Sequence, residues 1–353
     1  MDKGKTTEHS LHARAFDSIE HTYSTSFLED YSHMRGDLAR LYSMAKEGQW
    51  NAESYLDWST NVDADKPFMP VEQSALYGTP HWNKMTKAER IRLNHEFMAW
   101  TLSQFLHGEQ GALLASAQIV DAVPNIDAKL YGATQVIDEA RHVEAFDRYL
   151  HTKLEIVYPV NPELKTLLDQ ILSDSRWDMK YLGMQIMVEG LALAAFQVMR
   201  DNVQEPLIAE ITRMVLKDEA RHVAFGVLSL KDYYAELTES EINERVEFTY
   251  EASRLMRDRL LGREVYEKMG MDVDACMELE FNDPRSREFR QILFAKIVPN
   301  VKKLGLLTPE LRRGFEELGV IAFENLPSSD EELFEPGGGL EDLKEGSLEA
   351  VAN

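Results

Sequence analysis

The sequence has little cysteine, a shortage of positive charge and no long uninterrupted apolar run. Cys276 is the only cysteine among 353 residues, which excludes an internal disulfide and a zinc site built on several thiolates. Lys and Arg number 38 against 61 Asp and Glu, and the formal charge of −23 disfavours nucleic acid and anionic membrane surfaces as partners. No window approaches the ~20 continuous apolar residues of a membrane span, and the N-terminus lacks the apolar region of a signal peptide. These absences predict a cytoplasmic protein that binds neither nucleic acid nor membrane.

Strand patterns are also nearly absent, whereas apolar residues recur with the 3.6-residue period of helices along most of the chain. A composition of 44% hydrophobic and 28% charged residues allows a substantial core. Thr86 and Glu89 form a capping-box pattern that predicts a long helix ending shortly before Pro124. Three further long helices are predicted at roughly 126–153, 177–202 and 205–234. The predicted fold class is all-α.

These helices divide the chain into four predicted segments. Residues 1–85 form an N-terminal extension of mixed structure, with a helical stretch around 26–48, that packs on the bundle. Residues 86–235 form the four-helix unit, and residues 236–324 contain flanking helices near 239–269, 286–303 and 309–318. Residues 325–353 are acidic and rich in Gly, Pro and Ser, with too little apolar content to offset ordering entropy, and are predicted to be a mobile tail.

The hexapeptide DEARHV occurs twice, at 138–143 and at 218–223. In each copy a glutamate precedes a histidine by three residues, so that the two side chains share one face of a helix. The pairs are Glu139 with His142 and Glu219 with His222. The motif therefore predicts two similar polar faces on two helices.

Each motif glutamate is preceded, 30 residues upstream, by another glutamate in an otherwise apolar helix. These upstream residues are Glu109 and Glu189, and every member of the second set lies 80 residues after its counterpart in the first. An unpaired carboxylate in the apolar surroundings of Glu189 would be strongly unfavourable, whereas a bound metal ion removes that penalty. The pattern predicts two pseudo-symmetric helix hairpins that share one polar site.

These six residues form a ligand set for two metal ions. A glutamate from each of two helices and a Glu-x-x-His from each of two others is the arrangement of carboxylate-bridged dinuclear sites in ferritin-like bundles. Four carboxylates and two imidazoles without thiolates suit two iron ions, with manganese as the alternative metal. Glu109 and His142 would bind one ion, Glu189 and His222 the other, and Glu139 and Glu219 would bridge them.

Charged residues beside each motif histidine are predicted to support it. Asp138 and Asp218 are expected to accept a hydrogen bond from the free ring N–H of the histidine in the opposite hairpin. Arg141 and Arg221 are expected to pair with these aspartates and to keep them ionised.

Other polar residues near the motifs are interpreted as structural. His95 and His107 lie on the first long helix but have no second partner at metal-ligand spacing. Glu144 follows His142 by two residues and is expected to face elsewhere on the helix. The methionines and aromatic residues around the motifs are interpreted mainly as core packing.

With the doubled DEARHV motif and its upstream glutamates, the chain resembles the ferritin-like superfamily of dinuclear carboxylate proteins over roughly residues 89–234. The Asp-Glu-x-Arg-His form is similar to the oxygen-activating branch. That branch includes bacterial multicomponent monooxygenase hydroxylases, acyl carrier protein desaturases and aminobenzoate-type N-oxygenases. The resemblance implies a ferritin-like four-helix bundle with additional flanking helices, and dioxygen activation at a diiron centre.

The chain departs from individual subgroups at single positions. The radical tyrosine of the ribonucleotide reductase small subunit lies four residues after the first motif histidine, where this chain has Phe146. Leu193 replaces a threonine of multicomponent monooxygenases, and Val215 replaces an extra histidine ligand of aminobenzoate-type N-oxygenases. The resemblance therefore leaves the subgroup open.

The combined prediction is a non-haem diiron oxygenase that hydroxylates or N-oxygenates a small organic substrate, with the six ligand residues as its catalytic centre. Small residues beside the ligands leave room for an organic molecule: Gly108, Gly111, Ala112, Gly190, Ala192 and Ala194. The chain has no flavin or nicotinamide fingerprint and no cysteine set for an iron–sulfur cluster. Electrons are therefore expected from a separate reductase or ferredoxin.

Two rival interpretations use the same motif. An iron-handling protein of the ferroxidase type would bind the metals without an organic substrate, although the additional helices argue for an enclosed pocket. A non-enzymatic helical interaction protein would retain the repeats only as packing elements. A homodimer is compatible with each of these interpretations.

Overall fold

The computed structural model describes residues 18–22, 24–33 and 35–334, and regular structure within them is entirely helical. The α-helices, numbered along the chain, are α1 (Gly36–Glu47), α2 (Ala52–Tyr55), α3 (Pro80–Lys84), α4 (Lys87–Ala122), α5 (Ile126–Tyr149), α6 (Pro162–Ser173), α7 (Trp177–Asn202), α8 (Pro206–Tyr234), α9 (Glu239–Asp258), α10 (Arg263–Lys268), α11 (Val273–Asn282), α12 (Pro284–Ile292), α13 (Val298–Lys303), α14 (Pro309–Leu318) and α15 (Ser329–Phe334). Short 3₁₀ turns occupy Val71–Gln73, Arg259–Leu261, Leu293–Lys296 and Ile321–Asn325, and π-helical segments occupy Leu150–Leu154 and Leu182–Val188. The predicted all-α class is confirmed.

Helices α4, α5, α7 and α8 form the central bundle. Helix α4 packs along α5 and α7 packs along α8, and the two hairpins meet where α8 contacts α5. The capping box at the start of α4 is present, since Thr86 Oγ1 accepts from Glu89 N–H and the Glu89 carboxylate accepts from Thr86 N–H at 2.7 Å. Asn125 caps α5, and Pro206 occupies the first turn of α8. Local sequence signals thus mark the starts of α4, α5 and α8.

Helix α7 is not a regular α-helix throughout. Its segment Leu182–Val188 is π-helical and ends immediately before Glu189. Wider turns of this kind are frequent at functional sites. Gly226 on α8 allows this segment to approach closely, because a Cβ atom at that position would lie 2.7 Å from Gln185 Cβ.

Helix α7 is also long and apolar enough to cross a membrane by length and composition alone, with a mean hydropathy of 1.5 in its most apolar window. In the folded chain 89% of that window is buried inside the protein. An apolar surface all around a helix is expected where it is enclosed by other helices. The burial of α7 therefore accounts for its composition.

Several predicted boundaries require correction. The helical stretch expected around 26–48 is confined to Gly36–Glu47. The segments expected near 239–269 and 286–303 are each interrupted by a 3₁₀ turn, and the first break is followed by Gly262 at a φ of +64°. Gly262 marks the first break locally, because glycine adopts this left-handed conformation without steric strain.

The prediction of a mobile tail from residue 325 is wrong for its first part. Ser329–Phe334 forms α15, which packs on α8. Asn300 holds its start, since Asn300 Nδ2 donates to Ser329 Oγ at 2.9 Å and Asn300 Oδ1 accepts from Ser329 N–H at 2.8 Å. Lys296 pairs with Glu332 at 2.6 Å. These partners are distant in sequence, so local composition gave no sign of them. Residues 335–353 of the predicted tail lie outside the described residues.

Candidate metal centre

The six residues predicted as ligands converge in the middle of the bundle. They are Glu109 on α4, Glu139 and His142 on α5, Glu189 on α7, and Glu219 and His222 on α8. Their exposed fractions lie between 0% and 6%. Each of the four bundle helices therefore contributes at least one carboxylate to one buried cluster.

Four of these side chains surround the first position at which a metal ion could bind. His142 Nδ1 lies 3.2 Å from Glu109 Oε2 and 3.3 Å from Glu139 Oε2. Glu219 Oε1 lies 3.3 Å from the same ring nitrogen. One nitrogen and three carboxylates are thus close enough to hold one ion.

The second position is formed by Glu139, Glu189 and His222. His222 Nδ1 lies 3.1 Å from Glu139 Oε1 and 3.6 Å from Glu219 Oε1. Glu139 therefore offers one oxygen to each histidine, which is the geometry required of a bridging carboxylate. The two imidazole ring centres are 5.9 Å apart.

Both histidines turn the same ring nitrogen toward the cluster. His142 Nε2 lies 3.2 Å from Asp218 Oδ2, and His222 Nε2 lies 3.3 Å from Asp138 Oδ2. An aspartate that accepts the Nε2 proton leaves the Nδ1 lone pair available for a metal ion. Each aspartate comes from the opposite hairpin, which is the pairing that the repeat suggested.

The electrostatics of the cluster favour a cation. Burial, together with the charge of Glu219, raises the pKa of Glu109 well above its ordinary value. Burial and the charge of Glu139 do the same for the pKa of Glu189. Burial alone would lower the pKa of His142, but the surrounding acidic groups, chiefly Glu109, raise it well above the usual range. Several carboxylates buried this closely require protons or metal ions to balance their charge.

Buried atoms without hydrogen-bond partners give a direct test of fit. Among the described residues these include Glu139 Oε2, Glu189 Oε2, both carboxylate oxygens of Glu219, and His222 Nδ1. All are donor atoms suited to iron or manganese, and all point into one cluster. The residues present therefore fit a dimetal centre.

The flanking charged residues form a second layer around the histidines. Arg141 contacts Asp138 and also lies 3.0 Å from Asp218 Oδ2. Arg221 contacts Asp218 and lies 3.6 Å from Asp138 Oδ2. Burial would raise the pKa of Asp218, but its hydrogen bond with His142 and the neighbouring arginine charges hold the pKa well below its ordinary value. The two hairpins are thus linked by crossed ion pairs.

Two further members of this layer lie in the link between α1 and α2 and were not identified from the sequence. Gln49 Nε2 donates to Asp138 Oδ1 at 2.8 Å, and Trp50 Nε1 donates to Asp218 Oδ2 at 2.8 Å. The Arg141 guanidinium lies 4.8 Å from the Trp50 ring centre. No local sequence pattern identifies these residues, because they reach the two aspartates only when α1 packs against α5 and α8.

Gln135 and Gln185 were also missed. Gln135 Nε2 donates to Glu139 Oε1 at 3.0 Å and to Glu189 Oε1 at 2.9 Å. Gln185 Nε2 donates to Gln135 Oε1 at 3.5 Å. The repeat contains a signal for Gln135. Under the 80-residue offset its counterpart is Val215, the position at which aminobenzoate-type N-oxygenases have an extra histidine ligand. Gln135 therefore positions two of the cluster carboxylates.

Residues interpreted as structural lie apart from the cluster. His95 Nε2 is 2.7 Å from the carbonyl oxygen of Lys66, and His107 Nε2 is 3.0 Å from that of Tyr158. Glu144 is exposed. These residues contact backbone or solvent and are not part of the candidate centre.

A cavity of about 1060 Å³ lies beside the centre, between α4, α7 and α12. Phe105, which precedes Glu109 by one helical turn, and Leu191, which follows Glu189 by two residues, line it. Phe105 packs against Phe196 with ring centres 4.6 Å apart. This size lies slightly above the about 300–1,000 Å³ typical of small-molecule pockets. The structure therefore provides space for an organic ligand beside the carboxylate cluster.

Comparison with known proteins places the chain among oxygen-dependent diiron proteins. The sequence model of the P-aminobenzoate N-oxygenase AurF family matches residues 32–305. A search among curated proteins found no match. The predicted superfamily is confirmed by the family match, although Val215 stands where the extra histidine was expected.

Solved structures support the fold. A variant of R2-like ligand-binding oxidase with an Mn/Fe cofactor superposes with a TM-score of 0.51 at 18% identity, covering 79% of this chain and 95% of that chain. Another variant, with an Fe/Fe cofactor, gives a TM-score of 0.52 at 17% identity with the same coverage of 79% and 95%. These similarities confirm the ferritin-like helical bundle.

Proposed function

The chain belongs to the family of the P-aminobenzoate N-oxygenase AurF, and on that premise we propose that it uses dioxygen to hydroxylate or N-oxygenate a small organic substrate. Membership makes it an oxygen-dependent diiron oxidoreductase. The observation that carries the proposal is the cluster of six buried side chains whose orphaned donor atoms point to one another. Such a cluster is unfavourable unless cations occupy it.

The side chains have distinct roles in the proposed centre. Glu109 and His142 would hold one ion, Glu189 and His222 the other, and Glu139 and Glu219 would bridge them. Two iron ions, or iron with manganese, would supply the reduction of dioxygen and the oxidising power directed at the substrate.

The surrounding protein orients the ligands and excludes water. Asp138 and Asp218 fix the ring tautomer of the opposite histidine by accepting its Nε2 proton. Gln135 restrains Glu189 from the side opposite its orphaned oxygen. Phe105, Phe146 and Phe196 pack together and keep bulk water from the cavity side of the cluster. A substrate in the cavity would contact Phe105, which lines it.

Electron supply is assigned to a separate protein. The chain has no cysteine set for an iron–sulfur cluster, and its single cysteine, Cys276, is buried. We therefore propose a reductase or ferredoxin as partner and a cytoplasmic location, where a reducing environment supplies electrons. Both proposals rest on the sequence.

The alternative function is iron handling of the ferroxidase type, with no organic substrate. The cavity of about 1060 Å³ favours the oxygenase, because iron oxidation for storage requires only an ion path. Its walls are largely apolar, which suits an organic molecule better than hydrated iron.

The decisive experiment measures metal content and optical spectrum of aerobically purified protein, followed by anaerobic reduction and rapid mixing with dioxygen. We expect about two irons per chain and a transient absorption change in the wild type. Glu189→Ala should lose both, whereas the exposed-site variant Glu144→Ala should retain both. A metal-free wild type with no spectral response to dioxygen would refute the proposed function.

A further inference from the structure

A group of buried polar atoms at one end of the bundle has no hydrogen-bond partner within the described residues. None of them belongs to a metal ligand: Ser116 Oγ, Tyr131 Oη, Tyr181 Oη, Gln185 Oε1 and Ser229 Oγ. The cavity extends toward the opposite end, because its lining residues on α4 precede Glu109 and those on α7 follow Glu189. The orphaned atoms lie beyond these ligands in the other direction. We name these five residues the polar column.

Two glutamine amides connect the column to the metal ligands. Gln185 Nε2 donates to Gln135 Oε1 at 3.5 Å, and Gln135 Nε2 donates to Glu189 Oε1 at 2.9 Å. Gln185 Oε1 remains as a buried acceptor. Gly226 makes room for this amide, because a Cβ atom at that position would lie 2.7 Å from Gln185 Cβ. The polar contacts of the cluster thus extend about one helical turn away from it.

Two buried tyrosines form the next layer of the column. Tyr131 and Tyr181 each precede one of the glutamines by four residues, or roughly one helical turn. Both rings pack on Phe225, with ring-centre distances of 4.3 Å and 5.0 Å. Burial raises the pKa of both phenols well above the ordinary value. Both hydroxyls therefore stay neutral, and each can donate and accept a hydrogen bond.

Ser229 forms the outer end of the column. It follows Phe225 by four residues on α8. Burial has the largest influence on the pKa of Tyr181, and Ser229, which lies beside that hydroxyl, acts in the opposite direction. Ser229 is partly exposed. The column therefore leads from the candidate metal centre to a residue that solvent reaches.

Internal water would satisfy this arrangement. An unpaired hydroxyl or amide oxygen in a dry core is unfavourable, whereas a buried water molecule typically binds such groups through about three hydrogen bonds. The column offers these groups on four helices that surround one interior region. Water molecules placed between the side chains would provide the missing partners and would join them into one network.

We propose that the polar column holds internal water and carries protons from solvent at Ser229 to the dimetal centre. When one atom of dioxygen enters a substrate, the other leaves as water and takes up two protons and two electrons. The electrons come from the reductase partner, and the protons come through the column. Each hydroxyl or water accepts a proton from its outer neighbour and donates its own to the inner neighbour, so no member becomes charged.

The location of the column separates protons from substrate. The cavity side of the cluster is closed by packed phenylalanine rings, and exclusion of water there protects a reaction from side products. A proton path through the cavity would bring water to the substrate, whereas the column reaches the cluster from the other end. That these protons serve dioxygen reduction rests on the proposed function, but the hydration of the column does not.

The first test counts long-lived internal waters in the metal-free protein by magnetic relaxation dispersion of oxygen-17. The proteins are wild type, the column variants Tyr131→Phe, Tyr181→Phe and Ser229→Val, and the control Tyr149→Phe. Tyr149 is also buried, but its hydroxyl donates to Glu205 Oε2 at 2.7 Å. Each column variant should hold at least one long-lived water fewer than the wild type, and the control should hold the same number.

The second test measures proton uptake with phenol red after the reduced, iron-loaded proteins are mixed with dioxygen. Tyr181→Phe and Ser229→Val should take up protons at least roughly tenfold more slowly than the wild type, because a proton donor is missing from the path. The slowing should be greater in deuterium oxide. Iron content should be unchanged in both variants, and Tyr149→Phe should take up protons at the wild-type rate.

Two results would overturn the inference: equal numbers of internal waters in the wild type and all column variants, or wild-type proton uptake in Tyr181→Phe and Ser229→Val. The tests also separate this inference from the proposed function. Waters lost from the column variants of a protein that binds no iron would support the hydrated column and refute the oxygenase. Dioxygen consumption with undisturbed proton uptake in both variants would refute the proton path and leave the oxygenase standing.

Discussion

The two helix hairpins carry the same ligand pattern at an 80-residue offset but differ in what surrounds it. The first hairpin, α4 and α5, contributes Phe105, Gln135 and Phe146. The corresponding positions of the second hairpin, α7 and α8, are Gln185, Val215 and Gly226. The metal-binding residues and the Asp and Arg of the repeated motif are thus duplicated, whereas these three neighbours are not.

Because of this difference, the residues that bind the metal ions are distinct from those that leave space for a substrate. On the first hairpin, Phe105 and Phe146 belong to the aromatic group beside the cavity. On the second, Gly226 allows the π-helical segment to pack closely and bring Gln185 to Gln135. The repeat therefore places similar charged residues on both hairpins. The neighbours that differ leave space for an organic ligand on one side of the cluster, whereas glutamine side chains fill the space on the other side.

The largest expected effect comes from removing one upstream glutamate in either hairpin. Glu109→Leu and Glu189→Leu should each lower metal content from about two ions per chain to one or fewer. With chelator present, both variants should unfold at a temperature roughly 2–8 °C above the wild type, because each removes a buried carboxylate whose ionisation is disfavoured. Metal analysis and thermal unfolding measure both effects.

The matched control is Glu144→Leu at an exposed position of α5. It should leave metal content unchanged and should not stabilise the chelated protein. If only one of the two ligand variants lost metal, the functional equivalence of the hairpins would be disproved.

A smaller effect is expected where the hairpins differ. Gln135→Met removes the amide that holds Glu189 while keeping the side-chain length, and should weaken metal affinity by about tenfold, as supporting residues typically do. Val215→Thr, at the equivalent position, preserves volume and should change affinity by less than about twofold. Metal titrations with competing chelators compare the two. Equal losses would mean that Gln135 acts only through packing.

The smallest expected effect concerns Glu280 on the wall of the cavity, which lies on only one side of the candidate centre. Burial raises the pKa of Glu280 to about 7 from an ordinary value of 4.5, against the influence of Arg290. The folded state therefore holds this proton more tightly than the unfolded state between pH 4.5 and 7. The free energy of unfolding of the wild type, relative to Glu280→Gln, should fall as the pH rises through this window and level off above it.

Partial exposure of Glu280 reduces the size of this change to the order of 1–2 kcal/mol. Urea unfolding of both proteins at several pH values measures it. A stability difference that stays constant from pH 4.5 to 8 would show that Glu280 ionises normally in the folded protein.

Much of the bundle and the candidate ligands could be predicted because the signals are local. The capping box of Thr86 and Glu89 and the 3.6-residue period define α4, and i,i+3 spacing places each Glu-x-x-His pair on one face. The repeated offset then predicts that the pairs meet. Such features depend on residues within one or two helical turns of each other, or on two identical copies of the same sequence motif.

Only the tertiary structure identified the supporting residues outside the repeated motif. Gln49 and Trp50 reach the centre because α1 packs across both hairpins, and α15 is ordered because Asn300 and Lys296 hold it. By itself the sequence determined the helices and the repeated ligand set, since these follow from short-range periodicity. The cavity and the amide contacts depend on contacts between distant segments, and the folded chain alone brings those segments together.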